Sequence, residues 1–118
     1  MCMKRFDNRL IGIDQGEIVL FSDYEFDGEM WAGGGDRSRR HSIRFTERYR
    51  DPPFVQCALS MWDIDSSTNS RVEVNAENIS ETGFEVVFRT WSDTHVARAR
   101  VRWLSIGEVL AEDDWELY

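Results

Sequence analysis

The sequence predicts an all-β protein, a β-sandwich of about six strands. Short segments of alternating apolar and polar residues recur along the 118 residues, each bounded by Gly, Pro, Asn, Asp or Ser. No window of useful length has the apolar period of an amphipathic helix. Hydrophobic residues make up 42% of the chain, which is enough for the core of one domain and argues against a second domain.

The first half of the chain predicts three strands and a glycine-rich loop. Glu17 to Phe26 forms the first strand, and Trp31 to Asp36 contains three consecutive glycines that let the backbone turn sharply. His41 to Thr46 is the second strand, and Pro53 marks the entry to Phe54 to Ile64. Because apolar residues occupy both faces of this third strand, it is predicted to lie centrally in a sheet.

The second half predicts three further strands separated by polar turns. Arg71 to Glu77 alternates, and another strand follows Thr82-Gly83. Phe84, Val86 and Phe88 share one face of that strand, and Val87, Arg89 and Trp91 share the other. The last strand, His95 to Ile106, has two distinct faces. One face carries Ala97, Ala99, Val101 and Trp103, and the other carries Arg98, Arg100 and Arg102. Such an arginine row is usually a solvated face. A subunit interface is the alternative, because the row ends in Leu104 and Ile106 instead of further charge.

Three segments follow from this pattern. Residues 1–15 are an N-terminal segment, residues 16–106 form the sandwich domain, and residues 107–118 form an acidic C-terminal tail with five acids and no base. Such a tail is expected to be mobile or docked at the periphery.

The charge and cysteine content exclude several functional classes. A formal charge of −8, from 22 acidic against 14 basic residues, disfavours nucleic acid and anionic membranes and favours neutral or cationic partners. No apolar run approaches the ~20 residues that span a bilayer, and Met1 to Asn8 lacks the apolar region of a signal peptide. Cys2 and Cys57 have no His or further Cys at ligand spacing, so neither a metal nor a cofactor is predicted.

An ordered set of short motifs carries a resemblance to a known family. In chain order, the set is Phe45, Pro52-Pro53, Val55, Leu59, Asp63 or Asp65, Arg71-Val72, Thr82-Gly83-Phe84, Thr90-Trp91, Asp93-Thr94 and Trp103. From about Gly16 to about Ile106, the sequence resembles the H-type lectin domain of snail agglutinins and of the carboxy-terminal domain of discoidins. The resemblance implies a six-stranded antiparallel sandwich, a homotrimer or dimer of trimers, and sugar sites near subunit boundaries.

The resemblance also implies which residues bind the sugar, a glycan of the galactose or N-acetylgalactosamine type. Asp36 corresponds to the carboxylate that grips sugar hydroxyls, Gly34 lies on the same loop, and Arg71 corresponds to the family's sugar-binding arginine. A carboxylate and a guanidinium can together clamp a vicinal diol, because hydrogen bonds to charged groups contribute roughly 1.5–3 kcal/mol against about 0.5–1.5 for neutral pairs. The residues alone leave open that Asp36 caps a turn and that Arg71 pairs with a neighbouring glutamate.

The segment from Trp91 to Asp93 completes the implied pocket. Trp91, Ser92 and Asp93 match the family segment that reaches the site of a neighbouring subunit. Ser92 stands where the agglutinins have a sugar-contacting His, and Ala97 stands where an aromatic residue is expected, which weakens the case for selectivity toward the N-acetyl group. Taken without the resemblance, Trp91 is equally an interface aromatic.

The function predicted is non-catalytic, multivalent glycan binding of the kind used in cell adhesion, acting outside the cell or on a particle surface. The alternative is a structural or host-attachment decoration domain of a larger particle, with a weak or lost sugar site. An enzyme is disfavoured: Ser92, Asp93 and His95 lie at a hairpin tip open to water, without a Gly-x-Ser-x-Gly elbow.

Overall fold

The computed structural model describes residues 2–110 and places six strands in two antiparallel sheets. The strands are β1 (Ile11–Ser22), β2 (Arg37–Arg44), β3 (Phe54–Ile64), β4 (Val72–Glu77), β5 (Gly83–Thr90) and β6 (Val96–Glu108). Sheet 1 has the order β1-β6-β3, and sheet 2 has the order β2-β5-β4. The predicted all-β, six-stranded antiparallel sandwich is therefore confirmed.

The core lies between the two sheets and draws on the inward faces of both. Its largest contributions from the central strands are Phe84, Val86 and Phe88 of β5, and Ala99, Val101 and Trp103 of β6. The faces predicted for these two strands are confirmed. Phe84 stacks on Phe45 with ring centroids 5.7 Å apart and meets the ring of Trp103 edge-on at 5.4 Å. Burying each such side chain stabilises the fold by roughly 1.5–3 kcal/mol, which makes this aromatic cluster the main anchor between the sheets.

The prediction that Phe54 to Ile64 is a central strand is wrong. Within residues 2–110, β3 pairs only with β6, and it is β6 and β5 that occupy the middle of their sheets. Phe54 and Trp62 are 52% and 61% exposed on the outer face of β3. Apolar residues on both faces of a strand predict that both faces are covered, but they do not tell how many neighbouring strands it has.

The first strand and the segment after it also differ from the prediction. β1 begins at Ile11 and ends at Ser22, and Tyr24–Phe26 forms a 3₁₀ turn instead of the end of the strand. A four-residue helix, α1 (Glu29–Ala32), then takes in the start of the predicted glycine loop. At the other terminus, β6 continues to Glu108, and Val109 forms an isolated bridge with Tyr49. Residues 111–118 of the predicted tail lie outside the described residues.

The outer face of sheet 1 carries the arginine row of β6. Arg98 pairs with Asp63 at 3.2 Å, while Arg100 and Arg102 both pair with Glu17, at 3.3 and 2.8 Å. Each arginine thus has an acidic partner on a neighbouring strand. In the described part of the chain, no helix has the length and apolar character needed to cross a membrane.

Candidate functional site

One end of sheet 2 brings together three of the residues predicted from the sequence. β5 lies between β2 and β4, and the first residue of each outer strand pairs with Thr90, the last residue of β5. Asp36, Trp91 and Arg71 each lie one position beyond these aligned residues, so they follow one another across the sheet end. With strands about 4.8 Å apart, the backbones of Asp36 and Arg71 are roughly 10 Å apart and Trp91 lies between them. We call these three residues the sheet-end row.

A shallow depression of about 360 Å³ opens on the Asp36 side of the row. Its lining residues are Asp36, Arg37, Ser38, Arg89, Thr90 and Trp91. Arg89 is engaged by two glutamates of β4, with Glu77 at 2.8 Å and Glu73 at 3.6 Å. Asp36 is exposed, and within residues 2–110 its carboxylate has no hydrogen-bond or ion-pair partner. Its two acceptor oxygens are therefore open to a ligand in the depression.

The backbone of Arg71 is held from both sides by buried threonine hydroxyls. The amide N–H of Arg71 donates to Thr94 Oγ1 at 3.0 Å, and Thr90 Oγ1 donates to the carbonyl of Arg71 at 2.6 Å. Thr94 Oγ1 in turn donates to the carbonyl of Asn69 at 2.6 Å. These contacts fix the point from which the arginine side chain projects.

Asp93 holds the side chain of Arg71. Its carboxylate accepts a hydrogen bond from Arg71 Nη1 at 2.6 Å and another from Asn69 Nδ2 at 3.2 Å. Partial desolvation acts to raise the pKa of Asp93, but backbone hydrogen bonds and the charge of Arg71 together hold it below its usual value. Asp93 is the one partner of the Arg71 guanidinium in the described residues, so the other donors of the fork remain free for a ligand.

The glycine loop and the Ser92 turn contact each other. Gly35, with φ +71°, donates its N–H to the carbonyl of Ser92 at 3.0 Å, and a Cβ at Gly34 would lie 4.0 Å from the same oxygen. Ser92 itself has φ 61°, a left-handed conformation that costs a non-glycine residue roughly 1–2 kcal/mol. Hydrogen bonds to its carbonyl offset that cost and join the two loops.

Arg37 is the organising residue that the sequence reading missed. Arg37 is only 7% exposed, and its buried guanidinium donates to five main-chain carbonyls. The acceptors are those of Glu29, Met30, Gly35, Ser92 and Thr94, at 2.7 to 3.4 Å. It therefore ties the end of α1, the glycine loop and the Ser92 turn into one unit. Extending the alternation of Ile43 and Phe45 backwards along β2 would have indicated that Arg37 faces inward.

Ser92, Asp93 and His95 do not form a hydrogen-bonded triad within residues 2–110. Asp93 pairs with Arg71 and Asn69, and no hydrogen bond links it to Ser92 or to His95. A group of three His, Cys, Asp or Glu side chains able to hold a metal ion is also absent from the described residues. What the site offers is a free carboxylate, a positioned guanidinium and an exposed indole.

The fold is a β-sandwich with an open polar surface at the end of one sheet. The chain belongs to the H-type lectin domain family, whose sequence profile matches residues 40–106. That range contains Arg71 and the Trp91 to Asp93 segment, whereas Gly34 and Asp36 precede it.

Two kinds of relative accompany the family match. A protein of Fuscovulum blasticum described as "ATP synthase subunits region ORF 7" is 48% identical over 107 residues, which are 91% of this chain and 93% of that protein. Two structures of discoidin II from Dictyostelium discoideum superimpose with TM-scores of 0.74 and 0.73, at 20% and 19% identity, over 93% and 88% of this chain. The chain spans 41% and 40% of those structures, about two fifths of discoidin II.

A more distant structural likeness is to the tailspike protein gp49 of Pseudomonas phage LKA1. The TM-score is 0.52 at 14% identity, and the match covers 86% of this chain and 15% of the tailspike. At these identities the solved structures show the fold alone. The roles of Gly34, Asp36, Arg71, Trp91, Ser92 and Asp93 in binding stay predictions.

Proposed function

We propose that the protein is a multivalent lectin that binds galactose-type or N-acetylgalactosamine-type sugars without altering them. Membership of the H-type lectin family supports glycan binding. The observation that carries the proposal is the sheet-end row, in which one chain supplies an exposed indole, a guanidinium fixed at its base and a carboxylate that has no partner among residues 2–110. In this proposal Trp91 therefore completes the site of its own chain, and not that of a neighbouring subunit as the resemblance implies. Neutral sugars present both hydroxyl arrays and apolar C–H faces, so this is the combination that they require.

Each residue then has a distinct part in binding. Asp36 accepts hydrogen bonds from two adjacent hydroxyls, the free donors of Arg71 bind sugar oxygens, and the ring of Trp91 covers a C–H face. Asp93 is a positioning residue because it acts through Arg71. We assign Gly34 and Ser92 to the rim of the site, because their loops contact each other next to the row and their small side chains leave room for the sugar. The short Ser92 side chain gives the N-acetyl group little to contact, so we expect similar affinities for galactose and N-acetylgalactosamine.

Multivalency in this proposal comes from a homotrimer or a dimer of trimers. The outer face of sheet 1 supports self-association, because Ile13 of β1 and Phe54 of β3 both pair with Ile106 of β6 and form an apolar row across all three strands. Ile13 is 68% exposed, so the row lacks cover in the single chain. Repeating a weak site on one particle raises avidity by on the order of 10²–10⁴ when glycan spacing permits.

Light scattering tests the assembly directly. A mass about three or six times that of one chain is expected for the wild type. Substituting Ile13→Asp should lower the mass to that of a monomer, while Gln15→Asp on the same strand, outside the apolar row, should not. A wild-type monomer at micromolar concentration would contradict the trimer.

Titration calorimetry with methyl galactoside and with N-acetylgalactosamine tests the site. Asp36→Ala and Arg71→Ala should each weaken binding at least tenfold, because each removes charge-assisted hydrogen bonds. Asp51→Ala and Arg44→Ala, exposed residues at the other end of the sandwich, are the matched controls and should bind as the wild type does. Wild-type affinity in both site variants would refute the site assignment.

The second candidate is a structural or host-attachment decoration domain whose sugar site is weak or lost. Ser92, which stands in place of a sugar-contacting side chain, favours it. A glycan array with the intact protein separates the two functions. A decoration domain would show no saturable binding at millimolar sugar, whereas the lectin would bind a consistent set of glycans.

A further inference from the structure

The segment that links sheet 1 to sheet 2 exposes aromatic rings that the candidate site does not use. We call residues 23–32 the aromatic loop; it carries Tyr24, Phe26 and Trp31. Tyr24 is 60% exposed and Phe26 is 80% exposed. Aromatic rings normally contribute large buried areas to a fold, so two of them held in solvent on one short segment indicate a surface for a ligand.

Buried anchors hold the aromatic loop in place. Met30 is fully buried, and its N–H donates to Asp23 Oδ2 at 3.1 Å. The same oxygen accepts a hydrogen bond from Arg39 Nη2 at 3.0 Å, and the N–H of Gly28 donates to the carbonyl of Asp23 at 2.9 Å. The exposed rings therefore project from a loop that is fixed at both ends, which lowers the entropy lost when a ligand binds to them.

The aromatic loop is continuous with the candidate site. Trp31 meets Tyr24 edge-on, with ring centroids 5.2 Å apart, and its ring lies 6.4 Å from that of His95. Arg37 donates both to α1 carbonyls within the loop and to the carbonyl of Ser92 in the site. One guanidinium thus joins the aromatic loop to the Ser92 turn, so the loop lies next to the candidate site.

The charge of the aromatic loop restricts the chemistry of its ligand. Glu25, Asp27 and Glu29 alternate with the rings and are all exposed. Protein interfaces are depleted in Glu and Asp at their centres, which disfavours a second protein on this surface. Carboxylates beside aromatic faces suit a neutral saccharide, because they accept its hydroxyl protons and repel anionic groups.

We propose that the aromatic loop is a second saccharide subsite. It binds the inner residues of a neutral oligosaccharide whose terminal residue occupies the sheet-end row, with Phe26 and Tyr24 stacking on sugar C–H faces and the carboxylates binding hydroxyls. This inference rests on the proposed lectin function and extends it from a single sugar residue to a chain.

Calorimetry with ligands of increasing length tests the subsite. The probes are methyl galactoside, a galactosyl disaccharide, a galactosyl trisaccharide, and the same trisaccharide sulfated on its reducing residue. For the wild type, Kd should fall roughly two- to tenfold from the monosaccharide to the neutral trisaccharide, as expected for one or two stacking contacts. The sulfated trisaccharide should lose that gain.

Variants assign the gain to the aromatic loop. Tyr24→Ala and Phe26→Ala should remove the gain while keeping the wild-type Kd for methyl galactoside, and Phe6→Ala, a partly exposed ring at the opposite end of the sandwich, should keep both. In the wild type, NMR signals of the Phe26 ring should shift with the trisaccharide and not with the monosaccharide. This measurement does not depend on a variant that folds.

The possible outcomes separate the two levels of the proposal. Wild-type protein that binds no sugar overturns the lectin function, and the subsite falls with it. Monosaccharide binding without a length-dependent gain, or a gain that both variants retain, overturns the subsite alone. An equal loss for all ligands in the variants also overturns it, because the loop would then act only by supporting the sheet-end row.

Discussion

Two arginines at the same end of sheet 2 have opposite surroundings. Arg37 at the start of β2 is buried and donates to five main-chain carbonyls, while Arg71 just before β4 is partly exposed and, among residues 2–110, has one carboxylate partner. The N–H groups of Arg37 are all used in hydrogen bonds to the main chain. In the sheet-end row, by contrast, donors of Arg71 and acceptors of Asp36 remain open to a ligand. Under the proposed function, Arg37 supports the framework and Arg71 binds the sugar, although both are arginines that flank β5 at the same sheet end.

Replacing Arg37 should have the largest effect on stability, because its side chain holds three loop segments together. Arg37→Met keeps most of the volume but leaves carbonyls of three loop segments without a donor, and we expect the free energy of unfolding to fall by about 3–5 kcal/mol. Urea unfolding followed by fluorescence measures it. The matched Arg71→Met should lower that free energy by less than about 1 kcal/mol. An equal loss of unfolding free energy in the two variants would contradict the view that Arg37 supports the fold and Arg71 does not.

Thr94 connects the two regions, since its hydroxyl fixes the base of Arg71 from within the core. Thr94→Val removes the acceptor for the Arg71 amide and the donor to Asn69, and should cost about 1–3 kcal/mol of stability. Sugar affinity should fall as well, because the arginine loses its fixed backbone. Thr82→Val, an exposed threonine at the far end, serves as the control. Unchanged affinity in a stably folded Thr94→Val protein would argue against this positioning.

Replacing Asp93 tests how the Arg71 side chain of the sheet-end row is positioned. Asp93→Asn keeps the shape but removes the charge that holds Arg71, so sugar affinity should weaken roughly three- to tenfold while thermal stability stays near that of the wild type. Calorimetry and a melting curve on the same sample measure both. Tighter binding in the variant would mean that Asp93 competes with the sugar for Arg71 instead of positioning it.

The smallest effect expected is that of mild acid. Hydrogen bonding from Arg89 lowers the pKa of Glu77, hydrogen bonding from Asn78 lowers that of Glu85, and the pKa of Asp93 is also lowered. Carboxyls with a depressed folded pKa stabilise fully above their unfolded values, about 3.8 to 4.5, and lose that contribution as pH falls through the folded values. The melting temperature and sugar affinity should therefore hold from pH 7 to about 5 and fall below about 4. A steep decline between pH 7 and 5 would point to groups other than these.

Much of the fold and part of the site could be predicted, for reasons visible at particular residues. The alternation of Phe84, Val86 and Phe88 specifies the buried face of β5, because side chains alternate strictly along a strand. The same patterns place Asp36 at the end of the glycine loop and Arg71 at the start of a strand, whereas β2 begins at Arg37 and β4 at Val72 in the structure. The sheet end that Asp36 and Arg71 share does not follow from these patterns. β4 and β5 are consecutive strands, but β2 pairs with β5 from Arg44↔Gly83 to Arg37↔Thr90, and pairing over so long a stretch of chain leaves no local signal.

Local sequence patterns were sufficient for the all-β class, the inward faces of β5 and β6 and a glycine-rich loop ending at Asp36, since each of these depends on residues a few positions apart. Only the tertiary structure decided that Phe54 to Ile64 lies at a sheet edge, that Arg37 is buried beneath three loop segments, and that Asp36, Trp91 and Arg71 form one row. Strand order, and the hydrogen bonds from one guanidinium to carbonyls far away in the sequence, both arise from packing of the whole chain. No short stretch of sequence specifies them.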